Sequence, residues 1–422
     1  MNTVRANAAI EAVWRIESAR LIAGLARMVR DVGLAEDLAQ DALVAALERW
    51  PESGIPDNPG AWLMTTAKNR AVDLARRREM ARRKGEELAR EEDRRLGFGE
   101  DDLVERLDDE VGDDLLGLIF TCCHPLLSRE ARVALTLRLL GGLDTAEIAR
   151  AFLAKESTIA QRLVRAKRTL RDAEVPFEVP RGEQLEARLP SVLEVIYLVF
   201  NEGYAASAGE DWIRPALCEE ALRLGRILAA LAPEEPEAHG LIALLEIQAS
   251  RSAARVGPGG EPVLLLEQDR AHWDLVLIGR GLAALERAER LPGPLGPYGV
   301  QAAIAACHAR ARAAEETNWK RIAYLYEALA RINPSPVVEL NRAVALTMAF
   351  GPEAGIELLD QIAGEPALRG YHLLPSARGD TLARLGRHAE AAAEFERAAE
   401  LTANLREREV LRGRAAESQG LG

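Results

Sequence analysis

At 422 residues, 48% of them hydrophobic and 28% charged, the chain is long enough for two or three domains that each bury a core. It has no apolar run of about 18 residues and no basic-then-apolar leader, and its four cysteines make no disulfide framework, so a membrane span and a secreted scaffold are excluded and a cytoplasmic protein is expected. A net charge of −12 argues against a polyanion partner only if it is spread evenly, yet 14 acidic residues against four arginines lie between Glu86 and Asp114, with basic segments on either side. Alanine, leucine, glutamate and arginine dominate and alternating strand patterns are scarce, which predicts an all-α fold.

Residues 5–33 read as one or two helices that bury Ile10, Val13, Trp14, Ile16, Leu21, Ile22, Leu25 and Val29. A second helix, Leu34 to Trp50, is expected to stop at Pro51. Its Asp37, Gln40, Asp41, Val44 and Glu48 recur every three or four residues and form one acidic, solvent-facing stripe. The segment SGIPDNPG has turn chemistry. A third helix, about Ala61 to Arg78, buries Leu63, Ala67, Ala71 and Leu74; Asn69, Asp73, Arg76 and Arg77 project elsewhere and a basic run closes it. On pattern alone this could be a plain helical hairpin with a basic tail.

Residues 79–113 are charged, punctuated by Gly85, Gly97, Gly99 and Gly112, and unable to bury a core, so they read as an acidic linker. Next, Ser128 is an N-cap candidate for a helix over Arg129–Leu140, which Gly141–Gly142 closes. Thr145 begins a short helix with Glu147 placed to help its cap. A longer helix, about Ser157 to Arg171, carries an inner stripe of Ile159, Leu163, Ala166 and Leu170. Ser157, Gln161, Arg165 and Arg168 point the other way, with Thr158 and Arg162 at the flanks. A short helix, a turn and a long basic helix make a helix-turn-helix, whose second helix enters the DNA major groove. Cys122, Cys123 and His124 invite a metal reading, but adjacent residues rarely chelate one ion, so buried thiols and no metal are expected.

In order and separation, DLAQD at 37–41, NPGAWLMTTAKNRAVDLARRR at 58–78 and the helix-turn-helix (Glu147–Ala149, then Thr158–Lys167) resemble regions 2 and 4 of the extracytoplasmic-function (ECF) sigma factors. The resemblance implies that core RNA polymerase docks on Asp37, Leu38, Gln40 and Asp41. It implies that the Pro56–Gly60 loop and Asn58, Asn69, Arg70, Asp73, Arg76 and Arg77 capture the −10 promoter element. The −35 element falls to Lys155, Ser157, Thr158, Gln161, Arg162, Arg165, Lys167 and Arg168. The linker would be either a spacer or an acidic nucleic-acid mimic in the RNA-exit path, through Glu91, Glu92, Asp101 and Asp102. Leu153 departs from the glycine the family often has in the recognition turn, which bears on the helix angle.

The remaining chain is helical and punctuated by Pro233–Pro236, Gly257–Pro262 and Pro292–Pro297. Asp380–Thr402 matches a tetratricopeptide (TPR) half-pattern through Leu382, Ala383, Leu385, Gly386, Ala389, Ala392, Phe395 and Ala398; a weaker copy covers Ile322–Pro334, followed by Val338–Phe350. A polar-aromatic cluster, Asn201, Glu202, Tyr204, Asp211 and Trp212, reads as a loop over a helix end or the lining of a ligand pocket. Trp273, His308 and Trp319 read as core or interface and not as catalytic groups. The expected order is sigma region 2 (1–78), linker (79–113), sigma region 4 (114–175) and a helical TPR-like regulatory domain (176–422). That domain would take a protein or small ligand, or only stabilise or block the sigma modules. No phosphate loop, nucleophile elbow or zinc-protease motif occurs, so neither enzyme nor cofactor is expected. The competing reading is a polymerase-independent helix-turn-helix regulator whose repeats bind an effector; it leaves the 37–41 and 58–78 patterns without a role.

Overall fold

The computed structural model describes residues 3–83, 114–152, 154–180, 182–204, 215–257, 262–402 and 404–421. The expected linker beyond Arg83, Leu153, Asp211 and Trp212 lie outside them. Among the described residues every regular element is helical, and β-bridge geometry occurs only at isolated residues, as between Val256 and Pro262. The chain divides into two compact units, Met1–Val195 and Ile196–Gly422.

The first unit begins with α1 (Thr3–Val29), α2 (Val32–Ser53) and α3 (Pro59–Arg83). Asp31 starts α2 earlier than the expected Leu34, because its Oδ1 accepts the backbone N–H groups of Gly33 (2.7 Å) and Leu34 (3.1 Å). Pro51 does not stop the helix; it sits in the last turn, and the end comes at Gly54, whose φ of +83° suits glycine. The stripe Ala35, Ala39, Ala42 and Ala46 is buried and lets α1 approach closely, with Leu21, Ile22, Leu25, Trp50 and Leu63 filling the space around it. Ile16, expected inside, is 68% exposed: the buried stripe at that level passes through Ser18, Ala19 and Ile22, and Ile16 falls outside it.

The same unit continues with α4 (Asp114–Cys122), α5 (Arg129–Leu139), α6 (Thr145–Ala151) and α7 (Glu156–Asp172). Helix α4 is almost wholly buried against α1, and its Asp114 meets Arg27 Nε at 2.9 Å. Ser128 caps α5 by accepting the Ala131 N–H at 3.3 Å. Cys122 and Cys123 are buried, and burial pushes Cys123 up to about 11 and Cys122 well above its usual range, so both thiols stay protonated. The unit boundary falls inside α8 (Glu183–Tyr204). The first half of α8 fastens onto the α4–α5 corner, with Arg188 donating to the Phe120 carbonyl (3.1 Å), Ser191 to the Cys123 carbonyl (2.5 Å), and Glu194 pairing with Arg132 (3.3 Å).

The second unit strings together α9 (Pro215–Leu231), α10 (Pro236–Ala249), α11 (Leu275–Arg290), α12 (Pro297–Arg310), α13 (Trp319–Ile332), α14 (Pro336–Phe350), α15 (Pro352–Ile362), α16 (Leu373–Arg384), α17 (His388–Leu401) and α18 (Leu405–Leu421). Helices adjacent in sequence pack in pairs, and the core breaks into successive clusters along the string. Proline opens α10, α12, α14 and α15, where the missing N–H costs nothing. A side chain at Gly355 would collide with Thr347 Oγ1, which fixes how closely α14 and α15 can pass. The α16–α17 hairpin matches the expected half-pattern: Gly386 takes φ +74° in the turn, and Leu382, Ala392, Phe395 and Ala398 are buried. Ala389 faces solvent, and Ala391 and Ala399 fill the seam in its place.

Candidate nucleic-acid interface

Three surfaces of the first unit carry the residues singled out by sequence. On α2, Asp37, Asp41 and Glu48 are exposed beside two uncovered apolar side chains, Val44 and Leu47. Burial raises the Asp37 carboxyl above its usual range; Lys167 opposes the shift, and Glu36, Asp31 and Asp41 reinforce it. Gln40 donates to Glu36 Oε1 at 2.7 Å, and Asp41 pairs with Arg70 on α3 at 3.2 Å. Leu38 departs from its expected role: at 4% exposure it belongs to the core and offers a partner no surface. Sequence periodicity missed Leu47, which lies three residues from Val44 on the same face.

The loop before α3 is held by Trp62 edge-on to Trp50 (5.2 Å between centroids) and by Asn58, whose Oδ1 accepts the Ala61 N–H at 3.0 Å. The Asn58 carboxamide oxygen is therefore committed to capping α3. Asn69, Asp73, Arg76 and Arg77 are exposed along one face of the helix, while Leu63, Ala67, Ala71 and Ala75 line its buried side. Arg70 stands between, half-buried on Asp41.

The third surface is the helix pair α6–α7. Asp144 and Glu147 form a reciprocal capping box, Glu147 N–H to Asp144 Oδ1 at 2.6 Å and Asp144 N–H to Glu147 Oε2 at 2.7 Å, which fixes the start of α6. In α7 the expected inner stripe, Ile159, Leu163, Ala166 and Leu170, is buried without exception. The opposite face exposes Ser157, Thr158, Gln161, Arg165 and Arg168, with Lys155 exposed just before the helix and Arg162 half-buried at the flank. Val164, 66% exposed, lies in the middle of that face and was not singled out by sequence, because an apolar residue there breaks the polar pattern.

Lys167 is the second departure. Its ammonium pairs with the carboxylate of Glu36, which is only 3% exposed and also receives Arg138 Nε at 2.6 Å. Arg171, one turn on, lies 3.9 Å from Asp31. Helix α2 therefore holds the inner edge of α7 through a buried carboxylate that bridges cations from α5 and α7. Nothing local in AEDLAQD announces this, since both partners lie more than a hundred residues away.

Sequence comparison matches two parts of this unit to known families: sigma-70 region 2 over residues 16–80 and sigma-70 region 4 over residues 118–170. A relative from Mycobacterium tuberculosis, described as "Probable ECF RNA polymerase sigma factor SigI", is 30% identical over 205 residues, 46% of this chain and 68% of the relative. The chain belongs to the ECF RNA polymerase sigma factors. The ECF sigma factor SigK of Mycobacterium ulcerans is also 30% identical, over 35% of this chain and 76% of its own length. Outside the two sigma regions, residues 188–289 match a family of unknown function, DUF6596. An uncharacterized protein of Rhizobium meliloti is 44% identical over 391 residues, 92% of this sigma factor and 90% of the relative, so the long helical extension is shared between them. The ECF sigma factors are transcription factors and not enzymes, and their family implies core RNA polymerase and promoter DNA as partners. Among the described residues no helix is long and apolar enough to cross a membrane.

Proposed function

We propose that the exposed face of α7 reads the −35 element in the major groove, that the Asn69–Arg77 face of α3 with the preceding loop captures the −10 element, and that the acidic and apolar face of α2 docks on core polymerase. The observation that carries this reading is the clean division of α7, with four apolar side chains wholly inside and Ser157, Thr158, Gln161, Arg165 and Arg168 together outside. Arg165 and Arg168 suit the O6/N7 edge of guanine or phosphate, and the exposed Val164 beside them suits the methyl group of thymine. On α2 the docking set is Asp37, Gln40, Asp41, Val44 and Leu47; Leu38 supports them from beneath. The Ile196–Gly422 unit controls the activity through a protein or small-ligand partner.

The test is transcription from a genomic template pool with core polymerase, comparing the full chain, a chain ended after Val195, and the full chain carrying Asp37→Ala with Asp41→Ala. The cut belongs after Val195 because Arg188, Ser191 and Glu194 complete the first unit. Specific initiation by the full chain, lost in the double variant, supports the assignment. Unaltered initiation by the double variant would remove polymerase docking from α2. Equal output from the cut and full chains, with and without cell extract, would remove control from the extension.

A further inference from the structure

The second unit contains a cavity of about 240 Å³ between α8, α10, α12 and α13. That is below the roughly 300–1,000 Å³ of drug-sized sites, so any occupant is small. One wall is apolar, built by Leu244, Ile247 and Ile304. The other end is polar, where Arg251, Tyr204, Gln248 and His308 converge.

Arg251 sets the chemistry. Its residue exposure is 9%, and its guanidinium lies 5.8 Å from the Tyr204 ring centroid and 5.7 Å from that of Trp273. Its hydrogen bonds go to neutral oxygens, Tyr204 Oη at 2.6 Å and Gln248 Oε1. Among the described residues no carboxylate comes within ion-pair distance of it. A second guanidinium, Arg270, stands 4.9 Å from the Trp273 ring centroid and donates to the His308 and Ala311 carbonyls (2.6 Å each) and to Thr317 (3.0 Å). Elsewhere in this unit partly buried arginines meet carboxylates: Arg378 bonds Asp360 and Glu394, and Arg414 bonds Asp380. A buried cation left on neutral acceptors is costly unless an anion reaches it.

His308 adds a second unused group. It is 8% exposed, stacks edge-on to Trp319 at 5.1 Å, and its Nδ1 is buried with no hydrogen-bond partner. Burial, with Arg251 and Arg270 nearby, pushes it down to about 4, so near neutrality the ring is uncharged and offers a hydrogen bond, not a second charge.

We propose that this cavity binds a small organic carboxylate with a planar apolar body, its carboxylate on Arg251 and its body against Leu244, Ile247 and Ile304. The planar guanidinium fork matches a carboxylate in two parallel bonds, and the apolar wall rewards a ring that inorganic anions lack. The inference is independent of the promoter-reading assignment, and its test reads binding directly.

Isothermal titration of the full chain with benzoate, phenylacetate and indole-3-acetate, against benzamide and inorganic phosphate, tests it. At least one aryl carboxylate should bind saturably at one per chain, with benzamide tenfold or more weaker. Arg251→Gln should weaken that binding about 10- to 100-fold, as loss of a charge-assisted pair predicts. Should Arg251→Gln fail to give a wild-type circular-dichroism melt, Ala305→Leu, which fills the cavity and leaves the arginine in place, decides the matter by the same loss. Absence of binding by all three acids, equal affinity for benzamide, binding unaffected by the substitutions, or phosphate binding in place of the acids would each overturn the proposal.

Discussion

Arginine does opposite work in the C-terminal helical hairpins and on the outer face of α7. In the C-terminal unit it is largely an adhesive: Arg378 joins α15, α16 and α17 through Asp360 and Glu394, and Arg414 joins α18 to α16 through Asp380. On α7 of the N-terminal unit, Arg165 and Arg168 stand in solvent, and Arg168 pairs with Asp172 in its own exposed last turn. The lesson lies in the exceptions. Lys167 is an α7 cation withdrawn onto a buried carboxylate, and Arg251 is a buried C-terminal cation held by neutral oxygens. A cation's role therefore follows from what faces it, and not from which unit or helix carries it.

Substitutions can break that contrast. Glu36→Ala should have the largest effect, a loss of about 3–5 kcal/mol, because Arg138 and Lys167 would be left partly buried without their carboxylate. Urea unfolding of the N-terminal unit reads it, and a change below about 1 kcal/mol would mean that packing alone holds α7 to α2. Next comes the pH response of the C-terminal unit. With His308 held near 4 when folded and near 6.5 when unfolded, the unfolded chain binds the extra proton between those values. Stability is thus complete above about pH 6.5 and falls by on the order of 3 kcal/mol as pH drops to 4. His308→Gln should flatten that part of a melting-temperature profile; an unchanged profile would place the acid sensitivity elsewhere.

The sharper comparison is within α7. Arg165→Ala should weaken binding of the polymerase-bound protein to −35 duplex DNA about 10- to 100-fold, or 1–3 kcal/mol, whereas Lys167→Ala should change it far less. Equal losses from both would show that Lys167 leaves Glu36 when DNA arrives. The smallest effect belongs to Arg290→Ala, an exposed pair with Glu286 one turn away, expected to cost under about 0.5 kcal/mol in thermal melts.

What the sequence disclosed follows the range of the interactions. The α7 stripe, the Ser128 cap and the Gly386 turn are set by residues three to seven apart, and each was readable. Leu38 was misassigned because a motif names neighbours without saying which of them turns inward. Asn58 carried a readable capping signal, three residues before Ala61, behind the more conspicuous loop motif. Glu36 with Lys167 was out of reach, as was Arg251 beside His308, since only the fold brings those side chains together. Asn201 and Tyr204 stood out as a cluster, and both line the cavity, but nothing in their neighbourhood pointed to an arginine two helices away.

The Glu36 bridge also makes the molecule respond unevenly to electrolyte. An ion pair around a carboxylate this buried is screened little, because mobile ions cannot reach between its charges. The proposed contacts of α7 with DNA phosphate would be driven by release of condensed counterions and would weaken steeply as salt rises. Raising ionic strength is therefore expected to weaken DNA binding through Arg165 and Arg168 while leaving the Glu36–Lys167 pair that ties α7 to α2 in place.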